Sequence, residues 1–185
     1  MWSRRPPAVY SSGRSSTWGR VISYLGPLLA VVTGIVHAAI APVVVIGGVK
    51  PNLVLVSVIL VTVLVGFLPG ITWAFVAGVT ANLLVSDPLG SMPLGMLLVA
   101  ALVAGGARLA GRAWIYPVIA AFGGSILADV VTLVVGGLVT NAAVASVPLD
   151  LVLAAAVLNA AICGLLIIPA RAIAARYATD DAPAW

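Results

Sequence analysis

Residues 50–90 read KPNLVLVSVILVTVLVGFLPGITWAFVAGVTANLLVSDPLG and decide the fold. No charged residue occurs between Asn52 and Ser86, and the one break is the turn-forming segment GFLPG at 66–70. The apolar run on each side has about the shortest length that crosses a bilayer. We therefore predict a transmembrane hairpin. It ends at Asp87-Pro88-Leu89-Gly90, because proline and glycine stop a helix and a carboxylate favours water.

The composition of the whole chain supports a membrane protein. Of its 185 residues, 63% are hydrophobic and 8% are charged, and the mean hydropathy is +1.23. A soluble domain carries about a quarter charged residues. The net charge of +4 comes from basic residues scattered among the ends of apolar runs, so it does not indicate a nucleic-acid-binding surface. The single cysteine, Cys163, excludes an intrachain disulfide.

The apolar runs predict an all-α, polytopic membrane bundle with six transmembrane helices. The predicted spans are 21–45, 52–67, 70–85, 92–109, 115–139 and 148–170. Residues 1–20 are then a flexible, basic cytoplasmic lead, residues 21–170 the membrane domain, and residues 171–185 a cytoplasmic tail.

The basic residues predict the orientation of these spans. Of the nine lysines and arginines, all but Lys50 fall on one side, which the positive-inside rule makes cytoplasmic, together with both termini. An alternative interpretation is that the first apolar run is a signal peptide cleaved near Ala39-Ile40-Ala41. Cleavage would leave five spans and place the new amino terminus outside.

Small residues recur every four positions in four of the spans, which places them on one helix face. They are Gly26, Ala30, Gly34 and Ala38 in the first span; Gly70, Ala74, Gly78 and Asn82 in the third; Ala120, Gly124 and Ala128 in the fifth; and Ala156, Ala160 and Gly164 in the sixth. Such stripes let helices approach closely in lipid. We interpret them as packing surfaces within the bundle, with the alternative that one stripe faces a partner's helix.

Three polar residues lie at a similar predicted depth inside the spans. They are His37, Asn82 and Asp129, the last being the only acid in the interior of a span, since Asp150 lies at the start of the sixth. Because an isolated polar group is costly in hydrocarbon, we predict a buried polar cluster in which Asp129 contacts His37, Asn82 or both. The cluster is either a proton or ligand site, or a hydrogen-bonded pin that fixes helix register.

Residues associated with catalysis are not arranged in any known pattern. The chain has one histidine, and it has no acid pair within a span, no phosphate-binding glycine loop and no metal-ligand spacing. We therefore expect neither an enzyme nor a protein with a cofactor or a bound metal.

The hairpin resembles the rod shape-determining MreD family. The resemblance begins at Lys50-Pro51-Asn52-Leu53, continues through three glycines and closes with Asn82-Leu83-Leu84 and a Pro-Leu-Gly segment. The matched positions are Pro51, Asn52, Gly66, Gly70, Gly78, Asn82, Asp87, Pro88, Leu89 and Gly90. Family members often carry aspartate where this chain has Asn52 and Asn82, so a role that needs a charge there does not transfer.

The resemblance implies a non-enzymatic scaffold subunit of the bacterial cell elongation machinery, located in the cytoplasmic membrane. Such a subunit acts with MreC to link MreB filaments to RodA and a class B penicillin-binding protein. Its other contacts would be with membrane lipids, and its oligomeric state does not follow from the sequence.

A second family is similar in length and number of spans. The substrate-binding subunits of energy-coupling-factor vitamin transporters look related in fold to MreD, and the stripe from Gly26 to Ala38 is similar to the stripe that docks their coupling protein. A vitamin site would require several polar side chains to converge near the outer surface. The outer connections of this chain offer few.

Overall fold

The protein is an all-helical bundle in the computed structural model, which describes residues 17–110, 113–140 and 148–179. The described residues form six α-helices and no β-sheet. The helices are α1 (Thr17–Ile40), α2 (Leu53–Leu64), α3 (Phe67–Leu84), α4 (Ser91–Ala110), α5 (Tyr116–Thr140) and α6 (Leu149–Thr179). The all-α class and the number of helices agree with the sequence prediction.

Four helices of the described chain are long and apolar enough to cross a membrane. These segments are Phe67–Leu84, Ser91–Ala110, Tyr116–Val139 and Leu149–Ala175, while Leu25–Ile40 and Leu53–Leu64 are shorter apolar segments. Large apolar side chains such as Leu102, Leu165 and Ile168 project outward. An apolar exterior of this kind indicates a multi-pass membrane protein.

Several helix boundaries differ from those of the predicted spans, and the second helix, for example, ends at Leu64 rather than at residue 67. The first helix ends at Ile40 rather than near residue 45, because Pro42 has no backbone N–H with which to continue it. The third begins at Phe67, since Pro69 falls in the first turn, where no backbone N–H is needed. The sixth continues past residue 170 to Thr179.

Helix α2 is the centre of the bundle and packs against all five other helices. Its side chains Val54, Leu55, Val58 and Ile59 are fully buried. Helix α1 lies at the edge and, among the described helices, packs only against α2 and α3. The 12-residue α2 is thus shielded by longer neighbours.

The small-residue stripes mostly meet neighbouring helices. Ala30 and Gly34 of α1 are buried, and a Cβ added at Gly34 would lie 2.9 Å from the backbone oxygen of Ala77 in α3. By contrast, a Cβ at Gly26 would meet nothing within 4 Å. The stripe of α1 therefore packs inside the bundle along its middle and is open at its amino-terminal end.

The other three stripes follow the same pattern. On α3, Gly70, Ala74, Gly78 and Asn82 are all buried, with Gly70 against α2 and Gly78 against α4. On α5 and α6 the buried members are Gly124, Ala128, Ala156 and Ala160. Ala120 of α5 and Gly164 of α6 are half-buried, as is Ala38 at the end of the α1 stripe.

Candidate polar cavity

One end of the bundle contains a cavity of about 450 Å³, which we call the polar cavity. It lies where α1 ends and α2 begins, and α4, α5 and α6 complete its walls. Its polar lining residues are His37, Lys50, Asn52, Asp87, Ser91, Asp129, Thr132 and Asn159. More polar side chains therefore converge here than the sequence analysis of the outer connections anticipated.

The floor of the polar cavity is a hydrogen-bonded pair of asparagines. The Asn52 side-chain oxygen accepts a 3.0 Å bond from the Leu55 N–H and caps α2. The Asn52 N–H donates to the Asn159 side-chain oxygen at 2.8 Å, and the Asn159 amide donates to the Ser125 hydroxyl at 2.9 Å. These bonds tie the start of α2 to α5 and α6.

The second motif amide, Asn82, closes the connection between α3 and α4. Its side-chain oxygen accepts a 2.6 Å bond from the Gly90 N–H, and its amide donates to the Pro88 carbonyl at 3.3 Å. Gly90 has φ of 88°, a conformation that favours glycine. Asn82 thereby fixes the Pro-Leu-Gly segment and, with it, the position of the neighbouring Asp87 at the cavity wall.

The predicted cluster of His37, Asn82 and Asp129 is only partly assembled. His37 and Asp129 line the polar cavity, whereas Asn82 does not line it. Within the described chain no hydrogen bond joins the three residues. The amide of Asn82 is occupied by backbone groups of its own connection, which explains why it does not reach Asp129.

Two buried polar atoms at the polar cavity lack partners. The Nδ1 atom of His37 and the Oγ atom of Ser91 make no hydrogen bond, although these residues are only 6% and 1% exposed. Most buried polar atoms in proteins are hydrogen-bonded. These two atoms therefore have unused hydrogen-bonding capacity beside the cavity.

The rim of the polar cavity is formed by a short turn that the sequence analysis missed. Ile46 and Val49 exchange backbone hydrogen bonds of 2.9 and 3.1 Å around Gly47-Gly48. A Gly-Gly pair between apolar residues is a recognised turn signal, since both positions need positive φ. The turn brings the exposed Lys50 to the rim.

Sequence reasoning also missed Asn159 and Ser125. An amide within an otherwise apolar span is itself a signal, because it needs a buried partner. Its partners lie 34 and 107 residues away, however, and only the tertiary arrangement identifies them.

The polar cavity carries side chains of both charges. Its charged side chains are Lys50, Asp87 and Asp129, and none of them forms an ion pair with another described residue. The described residues include no group of three histidine, cysteine or acidic side chains suited to a metal.

A second, apolar groove of about 360 Å³ lies between α4 and α5. Tyr116 borders it and donates a 2.5 Å hydrogen bond to the Val103 carbonyl. Apart from this bond the groove offers little polarity, as expected of a surface that lipid chains cover.

No protein-family model, curated protein or solved structure matches this chain.

Proposed function

We propose that the protein is an MreD-type scaffold subunit of the bacterial cell elongation machinery. The proposal rests on the structural roles of the residues that resemble the MreD motif. Asn52 caps α2 and bonds to α6, while Asn82 closes the turn into α4. Both amides hold the ends of the hairpin, a structural use that does not require the aspartate frequent in the family.

The glycines of the motif support the same proposal. A Cβ at Gly70 would overlap the Thr62 side chain, and one at Gly78 would lie 2.8 Å from Cα of Pro93. Gly66, with φ of 121°, begins α3 directly after α2. The matched positions thus form one connected unit of α2, α3 and the start of α4.

The proposed topology has six spans, with both termini in the cytoplasm of a bacterium and the polar cavity on the outer face of its inner membrane. Arg108 and Arg171 are then cytoplasmic, and Lys50 and Asp87 are outside, as the positive-inside rule favours. The proposed arrangement of the helices is that of the substrate-binding subunits of energy-coupling-factor transporters.

Helix α1 is the surface that we assign to a partner. It packs on α2 and α3 only, and its outward side chains include Leu28, Val32 and Ile35. With short connections, the protein would contact MreC chiefly through such a helix face. MreC would in turn connect it to MreB, RodA and the class B penicillin-binding protein.

The test is mild crosslinking in the native membrane, followed by purification of the tagged protein and identification of what is recovered. MreC and the wall synthases are expected. Val32→Trp, on the outer face of α1, should reduce recovery of MreC, whereas the matched control Leu165→Trp, on an exposed face of α6, should not. Failure to recover MreC with the unchanged protein would contradict the proposal.

The polar cavity supports a second candidate, the substrate-binding subunit of an energy-coupling-factor vitamin transporter. Converging polar side chains in a cavity of this size are typical of small-molecule sites. The same crosslinking experiment separates the two candidates, because a transporter subunit would be recovered with an ATPase-containing coupling complex.

A further inference from the structure

The charges around the polar cavity are unbalanced. Asp87 and Asp129 contribute two carboxylates and Lys50 contributes one ammonium, and within the described chain none of them is paired. Asp129 lies inside α5 and is partly shielded from solvent. A carboxylate in such a place is stabilised by a cation, and the one ammonium group at the cavity, on the exposed Lys50, is not paired with it.

A second observation, independent of charge, indicates a ligand. His37 and Ser91 line the same cavity. The His37 Nδ1 atom and the Ser91 Oγ atom are both buried without a hydrogen-bond partner. An imidazole nitrogen and a hydroxyl can donate or accept, so together they suit a molecule that carries its own hydrogen-bonding groups.

The size and the apolar wall narrow the class of ligand. A volume of about 450 Å³ suits a small organic molecule or a lipid headgroup. Met92, Met96, Leu133, Leu151 and Val152 provide an apolar surface beside the polar groups. Methionine side chains adapt to irregular ligands.

We propose that the polar cavity binds a ligand with a protonated amine, whose ammonium group pairs with Asp129 and is attracted also by Asp87. His37 and Ser91 bond the polar atoms next to the amine, and the methionine wall covers its carbon skeleton. The amine belongs either to a free molecule or to a lipid headgroup such as ethanolamine. This proposal does not rest on the proposed function, since a scaffold and a transporter subunit can each hold such a ligand.

The first arm of the test uses the full-length protein in detergent and a free amine. Binding of 4-phenylbutylamine is measured by titration calorimetry, with the neutral 4-phenylbutanol as the comparison ligand. The variants are Asp129→Asn and Asp87→Asn. The matched control is Asp150→Asn, because Asp150 is exposed in the first turn of α6 and does not line the cavity.

The second arm tests a lipid source. The protein is placed in nanodiscs that contain equal amounts of phosphatidylethanolamine and phosphatidylcholine, and retained lipids are identified by native mass spectrometry. A headgroup site for primary ammonium should retain phosphatidylethanolamine preferentially in the wild type and in Asp150→Asn, and lose that preference in Asp129→Asn.

Variants that fail to fold are recognised by their thermal unfolding in detergent. Ala155→Phe is a further variant that fills the cavity without changing its charge, because Ala155 is part of the lining. Ala155→Phe should abolish ligand binding in each arm in which the wild type binds.

The proposal is supported if the amine binds in either arm and Asp129→Asn weakens this binding at least about tenfold. A loss of that size is expected when a charge-assisted contact is removed. Equal binding of amine and alcohol, or affinity unaffected by both aspartate variants, overturns it. Binding in neither arm also overturns it.

Discussion

Asn159 on α6 accepts a 2.8 Å hydrogen bond from the backbone N–H of Asn52, 107 residues earlier in the chain. The same side chain donates to Ser125 on α5, and it is only 1% exposed. One buried amide therefore connects the start of the central helix to two others. The bond also gives the Asn52 N–H, just before α2, a partner that the helix itself cannot supply.

Replacing Asn159 by alanine should lower the free energy of unfolding by roughly 1–2 kcal/mol, because the Asn52 N–H and the Ser125 hydroxyl both lose a buried partner. Ser125→Ala should cost less, since it leaves the bond to Asn52 intact. Denaturant or thermal unfolding in one detergent measures both. Equal stability of Asn159→Ala and the wild type would contradict the assigned role.

Two glycines of α1 provide a matched pair for testing the packing of α1 on α3. Gly34→Ala should destabilise the protein by roughly 1–3 kcal/mol, because its Cβ would lie 2.8 Å from Cβ of Thr80 and 2.9 Å from the Ala77 backbone oxygen. Gly26→Ala meets nothing within 4 Å and should be neutral or slightly stabilising. Thermal unfolding of the two variants in parallel decides the matter, and similar effects would contradict the packing described.

The role of Asn82 can be measured by hydrogen exchange. Asn82→Ala removes the acceptor for the Gly90 N–H, so exchange at Gly90 and in the surrounding connection should become faster. Asn82→Asp retains an acceptor oxygen and should protect this amide better. Asp87→Ala serves as the control, because Asp87 makes no hydrogen bond with the described residues. An unchanged exchange rate of the Gly90 N–H in Asn82→Ala would contradict the proposal that Asn82 stabilises this connection.

The proposed topology predicts which cysteine variants an impermeant maleimide labels in spheroplasts. Leu68→Cys and Leu89→Cys are suited to the test, as the leucines are 74% and 75% exposed near opposite ends of α3. Leu89→Cys should react from outside, and Leu68→Cys only after permeabilisation. Cys163 is fully buried and gives little background. The reverse pattern would invert the topology.

The sequence was sufficient to predict features that depend on local spacing. The break near Gly66 and the helices on its two sides are determined by residues a few positions apart, although the break is shorter than the predicted turn at 66–70 because α3 already begins at Phe67. The cluster prediction was less successful because it considered only depth in the membrane. It took no account of the backbone groups at Pro88 and Gly90, which occupy the Asn82 amide.

Features that depend on distant segments could not be predicted in this way. The polar cavity combines the end of α1, the Gly47-Gly48 turn, the α3–α4 connection and three further helices. Neither the partners of Asn159 nor the convergence of Asp87 with Asp129 leaves a local pattern. An amide in an apolar span indicates that a partner exists, but does not identify it.

The length of α2 has a consequence for how this helix is held in the membrane. Its 12 residues extend about 18 Å, whereas the hydrocarbon core of a bilayer is about 30 Å thick. So short a helix cannot hold a transmembrane position by itself. In the proposed six-span topology it depends on α3, to which the Gly66 turn joins it, and on the other helices that enclose it. The non-helical Pro51 and Asn52 before α2 border the polar cavity, and in the proposed topology such backbone is tolerated at membrane depth because it lines a cavity. In that topology, the hydrophobic mismatch of the central helix is relieved by the longer helices that pack around it.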